Sequence, residues 1–384
     1  VHRPQFECNR AGERLHGVHL DMNVQVTDDP RAIGVEVLSP LVQSQQLDLP
    51  ANATDCAFSS CGTICAVSLG DGSISLFEIS DSENSAAPKV TTVNDKLHHV
   101  AAVGIQSLGS DFVSIGQDGR AVWIDSSAPE NSRILFEFPG AWIESIAVSE
   151  DSGLIALASG HRCVVVDRQG DVHLDADVGS TISDLAFDAV GRRLAISRYD
   201  GVTTATPATG ELDLQLDWKG SHTGVSWSPS GRYIVTATQE KELHVWDLVT
   251  LQDFRIGGYP RKCHQMVWSA KDEILACSGA DVITAWSFAG TGPAGRPPVE
   301  IGFVFGGTVS AVAAHPEKPL IAGGFSTGNV LVGATGKGEA VVAKAAGGSP
   351  VTCLAWSPTG THLVAGNEAG GATLFTLADD LKVK

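Results

Sequence analysis

The chain has 384 residues, 43% of them hydrophobic and 6% aromatic, and carries a formal net charge of −18 with an isoelectric point near 5.0. A carboxylate surplus of that size repels phosphate backbones and anionic lipid surfaces, and no cluster of lysine or arginine offsets it, so neither nucleic acid nor membrane is an expected partner. No stretch is apolar for the length of a membrane span and nothing near the start reads as a signal peptide, which predicts a cytoplasmic protein.

In chain order, residues 1–34 belong to no repeat. They are polar, contain His2, Cys8, His16 and His19, and are expected to be a poorly ordered extension; Met22 is the expected native start, which leaves 1–21 outside the natural chain. Residues 35–384 are expected to form one domain. Leu41 to Leu49 (LVQSQQLDL) alternates as a strand does.

From there a frame of apolar, two spacers, apolar, one spacer, large apolar recurs eight times. Its last slot falls at Phe58, Ile105, Val148, Phe187, Trp227, Trp268, Ala314 and Trp356, with spacings of 47, 43, 39, 40, 41, 46 and 42 residues. Five units place a glycine four residues later, at Gly62, Gly109, Gly191, Gly231 and Gly360. A period of roughly 40 to 45 residues built of strand-type segments is that of a four-stranded propeller blade. The expected fold is therefore all-β: an eight-bladed β-propeller of four-stranded antiparallel blades. Seven blades is the runner-up, with unit two outside the ring. Only nine residues follow Phe375. The strand at 41–49 is thus expected to complete the last blade and close the ring, leaving no free sheet edge between first and last blades.

The clearest unit is GSHTGVSWSPSGRYIVTATQEKELHVWDL, residues 220–248. It resembles one WD40 repeat, carried by Trp227-Ser228-Pro229-Ser230-Gly231, the polar turn at Gln239 to Glu242, and Trp246-Asp247. The Trp-Asp dipeptide occurs once; equivalent positions carry Phe77-Glu78, Trp286-Ser287, Gly333-Ala334 and Phe375-Thr376. The family's buried His, Ser/Thr, Asp and Trp network is accordingly expected to be mostly absent. The degenerate repeats around one good unit also look like single-domain bacterial WD40 proteins, which implies as a further alternative an accessory protein in metal homeostasis.

Several motifs have a plainer reading than the chemistry they suggest. Gly324-Phe325-Ser326-Thr327-Gly328 has the pattern of a hydrolase nucleophile elbow but leads into a strand-like segment where that elbow needs a helix. Gly290 to Gly295 formally fits a dinucleotide fingerprint, yet Arg296-Pro297-Pro298 follows it. Ala208-Thr209-Gly210-Glu211 resembles a quinoprotein docking motif and occurs only once. The cysteines (Cys8, Cys56, Cys61, Cys65, Cys163, Cys263, Cys277, Cys353) sit mostly where a small apolar side chain serves, and read as free buried thiols in a reducing compartment. His98-His99 is the nearest approach to a metal pair. No metal, cofactor or catalytic residue is assigned.

In WD40 propellers partners sit on the face formed by the loops into strand one and the turns between strands two and three. The resemblance places His99, Trp142, His222 and Lys262 in the former and Gln117, Tyr199, Gln239 and Phe325 in the latter. Aromatic side chains exposed together there offer large contact area with few rotamers to freeze. The expected function is a non-catalytic protein- or peptide-binding scaffold, acting as a monomer. The alternative is a propeller enzyme (hydrolase, lyase or cofactor-dependent dehydrogenase) drawing on Asp71, Asp118, Asp200, Glu240 and Asp281.

Overall fold

Alternating small and β-branched residues punctuated by glycine turns form strands almost throughout the computed structural model, which describes residues 7–10, 35–37, 42–79, 90–93, 97–269 and 273–377. The only helical turn among them is the short 3-10 segment Pro129–Asn131. The first strands of successive units stand side by side, and Val351–Trp356 of the last lies against Ala53–Phe58 of the first, so the ring closes. The core is distributed between sheets; one cluster joins Phe58, Val67 and Phe77 of the first unit to Val364, Ala372 and Leu374 of the last.

Hydrogen bonding gathers the described strands into seven sheets, so the expected eight separate blades are corrected to the seven of the runner-up. The reason is not the loss of unit two, whose strands Ala102–Leu108, Asp111–Gly116, Arg120–Ile124 and Arg133–Glu137 make a complete four-stranded sheet. Units four and five are fused instead. Leu194–Thr206 runs unbroken through the second and third strands of unit four, Glu211–Trp227 runs from its fourth strand into the first strand of unit five, and the combined sheet has seven strands. The first long strand turns its corner at a bulge between Tyr199 and Gly201, where Asp200 takes φ 68° and Gly201 φ 140°, and the second turns opposite it at Gly220, φ 148°. A Cβ on Gly201 would stand 2.1 Å from the Leu216 carbonyl oxygen. Gly201→Ala is therefore expected to cost about 2 kcal/mol or more, read as a lowered midpoint in urea; an unchanged midpoint would show that the corner can shift.

The closing strand is where the sequence put it. Val42–Asp48 pairs antiparallel with Gly371–Leu377, from Val42 opposite Leu377 to Asp48 opposite Gly371. Two N-terminal segments add to outer edges: Glu7–Arg10 pairs antiparallel with Gln252–Gly257, and Val35–Val37 pairs parallel with Ala340–Lys344. The rest of 1–34, with Met22, lies outside the described residues.

First strands share a feature the residue pattern hid. Six carry a register shift at one place, at Ala53/Asp55, Ala102/Gly104, Ile182/Asp184, His222/Gly224, Val309/Ala311 and Val351/Cys353. Aligning on this bulge moves the frame of unit two: its middle slot is Ile105 and its last slot Ser107. The glycine had misplaced it, because Leu108 pairs with Asp111 and the connection shortens to Gly109-Ser110. A slip of two residues keeps every side chain on its own face, so the alternation looked intact.

Side chains of the first strands tie neighbouring units together. The indole N–H groups of Trp227, Trp268 and Trp356 donate to Ala186 O, Ser226 Oγ and Ala313 O of the preceding unit at 3.1, 2.9 and 3.2 Å. Gln106 spans to the next strand, donating to Ile146 O at 3.0 Å and accepting from the Val148 N–H at 2.8 Å. Asp55 accepts the Ile105 N–H at 3.1 Å, and burial pushes its carboxyl up to about 6 against that bond and the one from Cys56. Asp184 does the most, taking the Ser145 hydroxyl of unit three at 2.9 Å and the Val225 N–H of unit five at 2.9 Å.

Candidate functional site

Antiparallel order places the loops into strand one and the turns between strands two and three at the same end of every sheet. There they are stitched together by backbone bonds: Gln117 N–H to Ala101 O, Tyr199 N–H to Thr181 O, Gln239 N–H to Ser221 O and Ser326 N–H to Thr308 O, all between 2.9 and 3.2 Å. This loop face holds all eight expected partner residues, but not all of them face outward.

Trp142 is 59% exposed and Tyr199 52%. They lie along one strip of units three and four. Ser159 Oγ donates to Trp142 O, Ile182 N–H to Gly160 O, and Tyr199 N–H to Thr181 O. His99 and Gln239 are exposed, and Gln117 and Lys262 half-buried. His99 is engaged, with Arg120 Nη1 at 2.8 Å from its Nε2.

His222 and Phe325 are corrections: both are 0% exposed and offer nothing to a partner. Phe325 ends the strand Leu320–Phe325 opposite Val309 and points into the core shared with Ile283 and Ile301. His222 is a core hydrogen-bonding group. Its Nε2 donates to Trp218 O at 2.9 Å, leaving Nδ1 for the Thr236 hydroxyl at 2.8 Å, and Trp246 lies 5.5 Å away, centroid to centroid.

The buried network expected to be mostly missing is thus present in part. Unit two holds a second version: His98 Nδ1 donates to Asp118 Oδ1 at 3.0 Å while Nε2 faces Ser114 Oγ at 2.8 Å. Burial lowers the His98 pKa despite Asp118 beside it. Burial also works against the Asp118 charge, but the His98 ring and the His99 N–H hold its carboxyl below the usual range. With both ring nitrogens spent, His98 is no metal ligand. The spacing of His98 to Ser114 and Asp118 carried this signal, which a search keyed on the Trp-Asp dipeptide passed over. In that dipeptide itself, burial would raise Asp247, but the Arg232 guanidinium and the N–H groups of Val249 and Thr250 bring it down to about 2.

One residue of this face was missed. Phe305 is 80% exposed at the tip of the loop into the first strand of unit seven, where Gly307 N–H closes a turn on Val304 O. Reading that loop as units two, three, five and six were read would have found it.

Three of the five carboxylates considered for catalysis, Asp71, Asp118 and Asp200, are engaged in hydrogen bonds that hold the loop face. Asp71 accepts the N–H and hydroxyl of Ser73, and Asp200 the Gly220 N–H. At the opposite end a hollow of about 220 Å³ is lined by Glu150, Asp151 and Asp188. Glu150 accepts the Gly109 N–H and the Ser60 hydroxyl, and Asp188 the N–H groups of Arg192 and Arg193. Among the described residues no three His, Cys, Asp or Glu side chains are grouped to hold a metal, and no helix is long and apolar enough to cross a membrane. Ser326 of the elbow-like motif sits in a turn between two strands.

The fold and this looped face define a β-propeller of stacked repeat units. Two stretches of the chain, residues 218–247 and 342–373, match the profile described as "WD domain, G-beta repeat". A curated relative, "WD repeat-containing protein SL1-17" of Schistosoma mansoni, is 27% identical over 160 residues, 39% of this chain and 50% of the relative. The match thus spans about half that protein's length. Among solved structures, the C-terminal WD40 domain of Sif2 aligns with a TM-score of 0.70 at 13% identity, covering 90% of this chain and 99% of that one. The computationally designed Ika8 protein aligns with a TM-score of 0.69 at 19% identity, covering 86% and 98%. At those identities the likeness is one of fold alone. WD40 propellers typically serve as protein-interaction scaffolds and are generally non-enzymatic.

Proposed function

We propose that this chain is a non-catalytic scaffold that holds a protein or peptide partner on its loop face. The observation that carries the reading is that Trp142 and Tyr199 are more than half exposed on one hydrogen-bonded strip while most other large aromatics among the described residues are buried. Solvated aromatic side chains on one face are what an interface core uses. His99, Gln117, Gln239 and Lys262 form its polar surround; His222 and Phe325 hold the face from behind. The seven free cysteines among the described residues fit a reducing, cytoplasmic setting. An enzyme would need titratable groups left over to converge, and the turn carboxylates Asp71, Asp118 and Asp200 are already engaged.

The test is affinity capture from native lysate with wild type beside a Trp142→Ala, Tyr199→Ala double variant. The two proteins are expected to melt alike, since both side chains are exposed, and the variant to lose at least one partner that wild type retains. Identical captures from both would remove the loop strip of units three and four as the binding surface.

A further inference from the structure

The arginines along the loop face are mostly spoken for. Arg120 pairs with Glu137 at 3.3 Å, Arg162 with Asp175 at 2.6 Å, Arg198 with Asp217 at 2.8 Å and Arg255 with Glu242 at 3.3 Å, each within or next to its own unit. Arg261 breaks the pattern. It is exposed, and among the described residues neither it nor Lys262 nor Lys344 has a carboxylate within ion-pair distance. On a chain of net charge −18, Arg261, Lys262 and Lys344 place positive charge on the loop face.

These three cations and Phe305 belong to one strip. Arg261 N–H bonds Gly279 O, Gly279 N–H bonds Val309 O, and Val304 N–H bonds Asp281 O, so the turn of unit six is clasped between the loop of Arg261 and the loop of Phe305. Ser326 N–H bonds Thr308 O on the far side, Gly328 lies against the Gly348 backbone, and Lys344 Nζ lies 3.5 Å from where a Gly348 Cβ would stand. The clasped turn itself carries one acid, Asp281, whose carbonyl takes the Val304 N–H. An 80% exposed phenyl ring and three cations carried on the loops of one hydrogen-bonded strip offer an apolar contact and positive charge on the same stretch of surface.

We propose that this strip of units six and seven docks an acidic polypeptide segment, one carboxylate taken by Arg261 and an aliphatic side chain of the same segment laid on Phe305. The inference rests on the scaffold reading above and gives its partner a chemistry. Arg261 supplies the planar fork that matches a carboxylate, Lys262 and Lys344 add point charges without a fixed geometry, and Phe305 supplies area. The acidic bulk of the chain slows such a partner at a distance, so the local attraction must act within about 10 Å at ordinary salt.

The probe is a fluorescein-labelled nonapeptide of glutamates flanking a central leucine, with its lysine-for-glutamate counterpart, read by anisotropy on the whole chain. The glutamate peptide is expected to bind about tenfold or more tightly than the lysine peptide, and to weaken as salt rises. Arg261→Glu and Phe305→Ala are each expected to weaken it about tenfold. Lys337→Glu changes the net charge as Arg261→Glu reduces it, but at the opposite end of unit seven, and is expected to leave binding within about twofold. Equal binding of the two peptides, no binding of either, or equal loss in Lys337→Glu would each overturn the proposal. The capture experiment separates it from the broader reading: a partner lost in the Trp142, Tyr199 variant while the glutamate peptide fails to bind leaves a scaffold with a different preference.

Discussion

Replacing Asp184 by alanine should destabilise the ring by about 1 to 3 kcal/mol, the range for leaving a hydrogen-bond donor without its acceptor. The side chain is half-buried in a first strand and joins three consecutive units: its own, unit three through Ser145 Oγ, and unit five through the Val225 N–H. Truncation leaves a hydroxyl and an amide without their acceptor in a strand only partly open to solvent. Asp184→Asn keeps one carbonyl acceptor and should cost less than half as much. The measurement is urea denaturation at neutral pH, by intrinsic fluorescence. A midpoint for the alanine variant within error of wild type would mean that neighbouring strands re-pair and the units are not coupled through this carboxylate.

The coupling role of first-strand polar residues was not legible in the sequence, and the reason is physical. Period-2 alternation reports which face a side chain takes, and it located the eight frames and the closing strand 42–48. It does not report the bulge, which changes which neighbour a side chain meets without changing the residue types. Asp184 and Gln106 therefore looked like spacers. The fusion of units four and five was hidden for a related cause: Gly201 and Gly220 resemble ordinary turn glycines, but their φ values of 140° and 148° carry extended strands round a corner.

The site was legible as a place and only partly as a set of side chains. Chain order and loop position suffice to say that Trp142, Tyr199, His222 and Phe325 lie at one end of the sheets. Whether each points to solvent depends on the last pleat of its strand. Phe325 closes a strand whose alternation turns it inward, and His222 is drawn in by Thr236 and the Trp218 carbonyl. Five of the frame glycines, by contrast, all adopt φ between 67° and 76°, as a turn that only glycine enters cheaply requires. Turn chemistry is local and survives in the sequence; side-chain direction is settled by packing.

The ring should also respond to acid through two buried groups of opposite sign. His244 is 1% exposed, stacked on Trp218 at 4.1 Å, and its Nε2 approaches Asp253 Oδ2 to 3.1 Å without the alignment of a hydrogen bond. Burial, then the charges of His222 and Arg255, hold its pKa down at about 3. Above the unfolded value of about 6.5 both states are neutral and nothing is lost. As pH falls from there towards 3 only the unfolded chain takes the proton, so stability drops by about 1.4 kcal/mol per pH unit. Asp55 runs the other way. With its folded pKa raised to about 6 against 3.8, it contributes stability that is full below 3.8 and lost as pH rises through 6. Between 3.8 and 6 the two slopes largely cancel, and the wild-type curve should be flatter there than either group alone dictates. His244→Phe keeps an aromatic ring against Trp218 and removes the titration, so its stability relative to wild type should climb steadily as pH falls from 6.5. Asp55→Asn should diverge in the opposite sense from pH 6 downward. Urea midpoints measured from pH 7.5 to 4 decide it: curves for the three proteins that run parallel would mean that neither burial survives proton uptake, because the sheets open locally to admit water instead.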